Sequence, residues 1–139
     1  LLLITIADIC QSLQTSSPMR KSALSVFVFG IYLCLTGIVL ILAPNVLLGL
    51  FGLPETGEVW IRVVGVLALI IGFYYIQAAR MGLTGFFRLT LYTRFSVILF
   101  FGAFVLLGYI SPPLLLFGAV DVAGALWTWS ALRKENTSV

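Results

Sequence analysis

Two charged residues stand inside long apolar runs, and whatever chemistry this sequence can perform begins with them. Asp121 lies about eight positions past Pro113, which on a helix is roughly 12 Å of depth at ~1.5 Å per residue. An acid that far into a bilayer costs on the order of a few kcal/mol unless it finds a counter-charge, water or a proton. Its neighbours at helical spacing are Leu114, Phe117, Gly118, Gly124, Ala125 and Thr128, a mostly small face. Such a face is expected to turn inward, admitting another helix at close range or leaving a small wet cavity. Arg62 is the expected partner. It shares a face with Gly65, Leu69, Gly72, Ile76 and Ala79, in which Gly65, Gly72 and Ala79 recur every seven residues. The spacing predicts that this seam meets the small face of Asp121 and that the two charges pair. The competing reading has Arg62 snorkelling toward water, bonded to Glu58 one turn earlier.

Tyr74, Tyr75 and Gln77 form a second polar group. They could contact a quinone or a lipid headgroup; their ordinary reading is tyrosines near an interface and one amide bonded between helices. The chain has no histidine, so Ser-His-Asp and Cys-His catalysis cannot be assembled and the commonest metal ligand is missing. Cys10 and Cys34 make no CxxC pair, which argues against thiol–disulfide catalysis. No enzyme activity, metal or cofactor is expected. Leu53-Pro54-Glu55-Thr56-Gly57 spells an LPxTG sorting signal, but two further apolar spans follow it. The better reading is a turn, with Thr56 as the N-cap of the next helix and Glu58 near its positive end.

The elements that must position these residues are membrane spans. Of 139 residues 61% are hydrophobic and 9% charged, and mean hydropathy is +1.16, too apolar to coat a water-soluble domain. The pattern predicts an all-α, four-transmembrane-helix bundle with spans at 23–43, 59–79, 95–110 and 114–132, and a short interfacial helix over 46–53 after the first span. Residues 1–22 read as an N-terminal extension lying at the interface, since Met19-Arg20-Lys21 resembles a natural start of translation, and 133–139 as a tail. The stretch 81–94 reads as a connection in the headgroup region, where rings bury and Arg heads stay wet. Ser111 is expected to cap span four, with Pro112 and Pro113 in its first turn. Thr36, Gly37, Gly102 and Gly108 read as helix-packing residues. Phe100, Phe101 and Phe104 make span three bulky, suited to lipid or to a partner protein.

Of eight basic residues, all but Arg62 fall on one side of this arrangement, Arg94 being counted at the boundary of span three. That side, with both termini, is expected to be cytoplasmic. The basic residues form no stripe with stacking aromatics, which excludes nucleic acid.

The segment Trp60-Ile61-Arg62-Val63-Val64-Gly65 through Gly72, after a short first connection, resembles the Arg-plus-Gly second span of the small four-span DoxX-like bacterial membrane proteins. The resemblance implies a bundle in the bacterial inner (plasma) membrane and hints at partnership with quinone-linked redox chemistry. Two functions stay open. The first is a non-catalytic accessory or structural subunit of a larger inner-membrane complex, with the bilayer and other membrane subunits as partners. It is preferred because one ion pair would use up the few polar groups inside the membrane. The second is binding or transport of a quinone, lipid or small solute through a cavity beside Asp121.

Overall fold

Four helices long and apolar enough to cross a bilayer account for most of the chain, and it is a membrane protein of the all-α class. A computed structural model describes residues 19–137; most of the expected N-terminal extension, 1–18, lies outside the described residues. The helices are α1 Lys21–Leu42, a short α2 Pro44–Leu50, α3 Val59–Arg80, α4 Thr84–Leu106 and, after a 3-10 turn at Pro112–Leu114, α5 Leu115–Thr137. Pro44 and Pro112 each open their element, where a missing N–H and a fixed φ do no harm. α3 and α4 close alike. Gly82 and Gly108 take φ of 64° and 74°, and the residues after them, Leu83 and Tyr109, donate back to the carbonyls of Ala78 and Phe104. This satisfies otherwise orphaned carbonyls, so Gly108 ends a helix and does not pack against one. Gly102 has open space around it.

The third span departs most from expectation. It begins at Thr84, because nothing between Thr84 and Arg94 breaks a helix, and because a span over 95–110 would reach only about 24 Å, short of a ~30 Å hydrocarbon core. The supposed headgroup connection is therefore membrane helix. Arg94 sits near its middle, not at its boundary.

α1 is the central element, packing closely on α3 and on α5, while α4 packs on α5. The α1–α3 contact is a glycine seam. A Cβ on Gly37 would stand 2.6 Å from the Gly65 carbonyl oxygen, and one on Gly72 would stand 2.8 Å from the Gly30 carbonyl oxygen. The two glycine pairs share a seven-residue spacing, so antiparallel helices bring both into register. The seam of Gly65 and Gly72 thus faces α1, not the Asp121 face of α5. That face does turn inward: Gly118, Ala125 and Thr128 are buried, with Gly118 against Ile98 of α4.

At the basic end of the bundle α1 has no side-chain cap of its own. Glu135 of α5 supplies one, accepting from Ser22 N at 3.0 Å and from Ser22 Oγ at 2.6 Å. A carboxylate there meets free N–H groups and the positive end of the helix dipole. At the other end Thr56 is not the N-cap of α3, which starts after Glu58 without a side-chain cap bond. Thr56 accepts from Glu58 N at 3.2 Å and donates its own N–H to Asn45 at 3.0 Å, tying the loop to α2. Ser111 precedes the 3-10 turn without a side-chain cap bond; its carbonyl accepts from Leu114 N. Phe100 and Phe104 are exposed on α4.

Candidate functional site

The buried stripe of α4 is Phe87, Thr90 and Arg94, at positions i, i+3 and i+7 of one helical face. Arg94 is only 2% exposed. Its guanidinium carbon lies 3.7 Å from the centre of the Phe29 ring on α1 and 5.1 Å from that of Tyr75 on α3, an arrangement that attracts a cation to aromatic faces. Gly124 of α5 makes room for this stack, since a Cβ there would come within 3.1 Å of both Arg94 Nη1 and the Phe29 ring. Nη1 donates to Thr128 Oγ1 at 3.4 Å, and Thr128 donates to the Gly124 carbonyl at 2.9 Å.

Arg94 Nε and Nη2 have no hydrogen-bond partner among the described residues. These two nitrogens form one edge of the guanidinium and present parallel N–H groups, the fork that matches an acceptor with two oxygens. Leaving buried donors of a charged group unmet costs about 1–3 kcal/mol or more. Nearby, Thr90 donates to the Phe87 carbonyl at 2.8 Å and Thr93 to the Thr90 carbonyl at 3.1 Å, and Tyr75 lies beside the guanidinium.

Arg94 Nε and Nη2 have almost no accessible surface, while Arg94 as a residue borders a cavity. α3 and α4 are joined by a short turn yet do not pack along their length, and between them lies a cavity of about 710 Å³ lined by Phe29, Leu33, Tyr75, Arg94 and Asp121, among others. Tyr74 and Gln77 line it too. A second cavity of about 540 Å³ extends toward the loop end, with Tyr32, Thr36, Trp60, Phe101, Phe117 and Asp121 in its walls. Leu33 and Asp121 border both. Asp121 therefore stands at the junction of two largely apolar chambers, each of a size that holds a small ligand.

Arg62 is elsewhere. Its side chain is exposed and donates to the Ile41 carbonyl in the last turn of α1, where carbonyls lack helical partners and a cation is favoured. The structure thus brings Arg62 neither to Asp121 nor to Glu58. The cation that lines the same cavity as Asp121 is Arg94. Sequence reasoning missed Arg94 by placing it at a membrane boundary; the signal available was its spacing from Phe87 and Thr90 and the shortness of the span that excluded it.

No family model, no curated protein and no solved structure matches this chain.

Proposed function

We propose that the protein binds an amphipathic small molecule drawn from the bilayer and carries it in the cleft between α3 and α4, without catalysing a reaction on it. One observation carries this reading: a cavity of about 710 Å³ among the membrane helices whose mostly apolar lining includes both Arg94 and Asp121. The gap between α3 and α4 offers a lateral way in from the lipid. The second cavity offers continuation beyond Asp121.

The preference for an accessory subunit rested on one ion pair using up the polar groups inside the membrane. Arg94 is a further interior cation that the premise left out. The site between Phe29, Tyr75 and Asp121 is more than packing requires. Kinship with the DoxX-like proteins and residence in a bacterial inner membrane belong to the same proposal. So does the orientation: Arg20, Lys21, Arg80, Arg88, Arg133 and Lys134 lie at one end of the bundle, which the positive-inside rule makes cytoplasmic.

The test is extraction of the protein purified in mild detergent, followed by mass spectrometry of what is released. The wild type is expected to release an amphiphile in near-stoichiometric amount. Arg94→Gln, checked for retained helical content, should release at least about tenfold less, since bonds to a charged group are worth about 1.5–3 kcal/mol. Equal recovery from both, or none above an unrelated four-span protein, contradicts the reading. Stable co-purification with a large complex and no bound amphiphile would return the accessory role to first place.

A further inference from the structure

We propose that the two cavities receive one amphiphile end to end, and that its tail passes from the first into the second only while Asp121 carries a proton. The proposal rests on the ligand-binding reading above and adds how that site is controlled.

The route follows from what the two chambers share. Leu33 and Asp121 border both, so a chain that lies between α3 and α4 and continues into the second cavity passes these two residues. Beyond them the walls suit hydrocarbon. Leu40 of α1, Leu47 of α2 and Phe101 of α4 line the second cavity, together with Phe51 and Phe117, whose ring centroids are 4.5 Å apart.

The control follows from Asp121. Among the described residues it is the acid that stands away from the helix ends, since Glu55 and Glu58 precede α3 and Glu135 caps α1. It makes no hydrogen bond and no ion pair among those residues. Its carboxylate also keeps accessible surface, because the buried side-chain atoms left without a partner are nitrogens of Arg94 and not oxygens of Asp121. An ionised carboxylate in that position tolerates water but not hydrocarbon. An apolar chain pressed against it removes solvation and supplies no donor, and an acid so placed takes up a proton instead of staying charged. The proton comes from water and forms an O–H bond on the carboxylate; no other bond changes. Tail and proton favour the same state, so each raises the affinity for the other. The tail-bound state holds the proton, and tail binding is therefore strongest at low pH and weakens as pH rises.

The titratable and charged groups that face Asp121 across the two cavities are Tyr32 from α1, Tyr74 and Tyr75 from α3 and Arg94 from α4, while α2 presents Leu47 and Leu48. Arg94 keeps its charge throughout, held over Phe29, near Tyr75 and bonded to Thr128. Arg62, the remaining cation of α3 on that side, is turned to the Ile41 carbonyl.

The experiment uses the full chain in nanodiscs of zwitterionic lipid and two photoreactive hexadecanols, probes that do not themselves titrate. One carries a diazirine beside the hydroxyl and the other at the far end of the chain. Labelled residues are located by mass spectrometry, and only labelling that excess hexadecanol displaces is counted. The near-end probe is expected to label the first cavity, at Phe86 or Leu89, at every pH. The far-end probe is expected to label the second cavity, at Phe101 or Phe117, at about pH 5. Relative to near-end labelling this should fall at least about tenfold by about pH 8, by up to about tenfold per unit. Asp121→Asn, neutral at every pH, should keep its far-end labelling across the same range; a fall caused by any of the other facing groups would persist in it. Far-end labelling of the wild type that does not change with pH overturns the proton control, and so does a fall in Asp121→Asn equal to that of the wild type. Near-end labelling of the first cavity with no far-end labelling of the second at any pH overturns the end-to-end site and leaves the ligand-binding reading standing. No displaceable labelling of either cavity overturns both readings. The pH series of the wild type decides the proposal by itself, so a variant that fails to fold does not spoil it.

Discussion

The guanidinium of Arg94 lies over the ring of Phe29, carbon to centroid 3.7 Å, and this contact joins α4 to α1, helices that otherwise touch little. Phe29→Leu keeps an apolar side chain but removes the π face. A cation–π contact away from water is worth up to about 2 kcal/mol, and the smaller residue leaves a void as well. Phe29→Leu should therefore lower stability in detergent by about 1–3 kcal/mol, read from the unfolding midpoint in a denaturant titration. A change within error would show that the stack contributes nothing to holding α4.

Removing the counter-charges in pairs separates the two arginines. Asp121→Asn should destabilise the wild type, because it removes the negative charge nearest a buried cation. In an Arg94→Leu background the same substitution should be close to neutral or stabilising. Arg62→Leu and Asp121→Asn should add within about 0.5 kcal/mol, as unconnected sites do. Double-mutant cycles on unfolding free energy measure both couplings. A strong coupling of Asp121 to Arg62 and none to Arg94 would make Arg62 the partner of Asp121.

Much of this was legible in the sequence. The apolar runs of α1, α3 and α5 announce three spans within a few residues of where they lie, and the small face around Asp121 turns inward as its composition requires. α4 was harder to read, because Arg88, Thr90, Thr93 and Arg94 resemble a headgroup segment when polarity alone is considered. Only the length a bilayer demands, together with the stripe of Phe87, Thr90 and Arg94, reveals the helix. The glycine seam was half legible. Gly65 and Gly72 stood out, but their partners Gly30 and Gly37, with the same spacing, were not matched to them, and so the seam was assigned to the wrong helix. Arg62 was misplaced for the same reason, since its position on α3 follows the seam to the end of α1.

The cap that Glu135 provides for α1 is testable by itself. Glu135→Ala removes acceptors from both Ser22 N and Ser22 Oγ, and losing a helix cap costs about 0.5–2 kcal/mol. Ser22→Ala alone should cost less, and adding it to Glu135→Ala should cost almost nothing further, because the two share one interaction. Thermal unfolding in detergent followed by circular dichroism measures this. Full additivity would mean that the two residues act separately.

Close approach of α1 and α3 depends on Gly37. A methyl group there would stand 2.6 Å from the Gly65 carbonyl oxygen and 2.8 Å from Leu69 N, both backbone atoms that can yield only by parting the helices. Gly37→Ala is expected to cost about 1–3 kcal/mol, the usual penalty of overpacking. Gly102→Ala, at a position with open space, should be neutral or slightly stabilising through helix propensity. Equal effects at the two positions would remove the seam as the basis of the α1–α3 contact.

On the ligand-binding reading the cleft between α3 and α4, lined by Arg94 and Asp121 among others, is a ligand site. An experimental structure of the wild-type protein in native lipid, at a resolution that shows side-chain orientation, examines that cleft directly. An elongated non-protein density is expected in the cleft between α3 and α4, reaching the wall that holds Arg94 and Asp121. A cleft with no elongated density, closed by direct packing of α3 on α4, would contradict it.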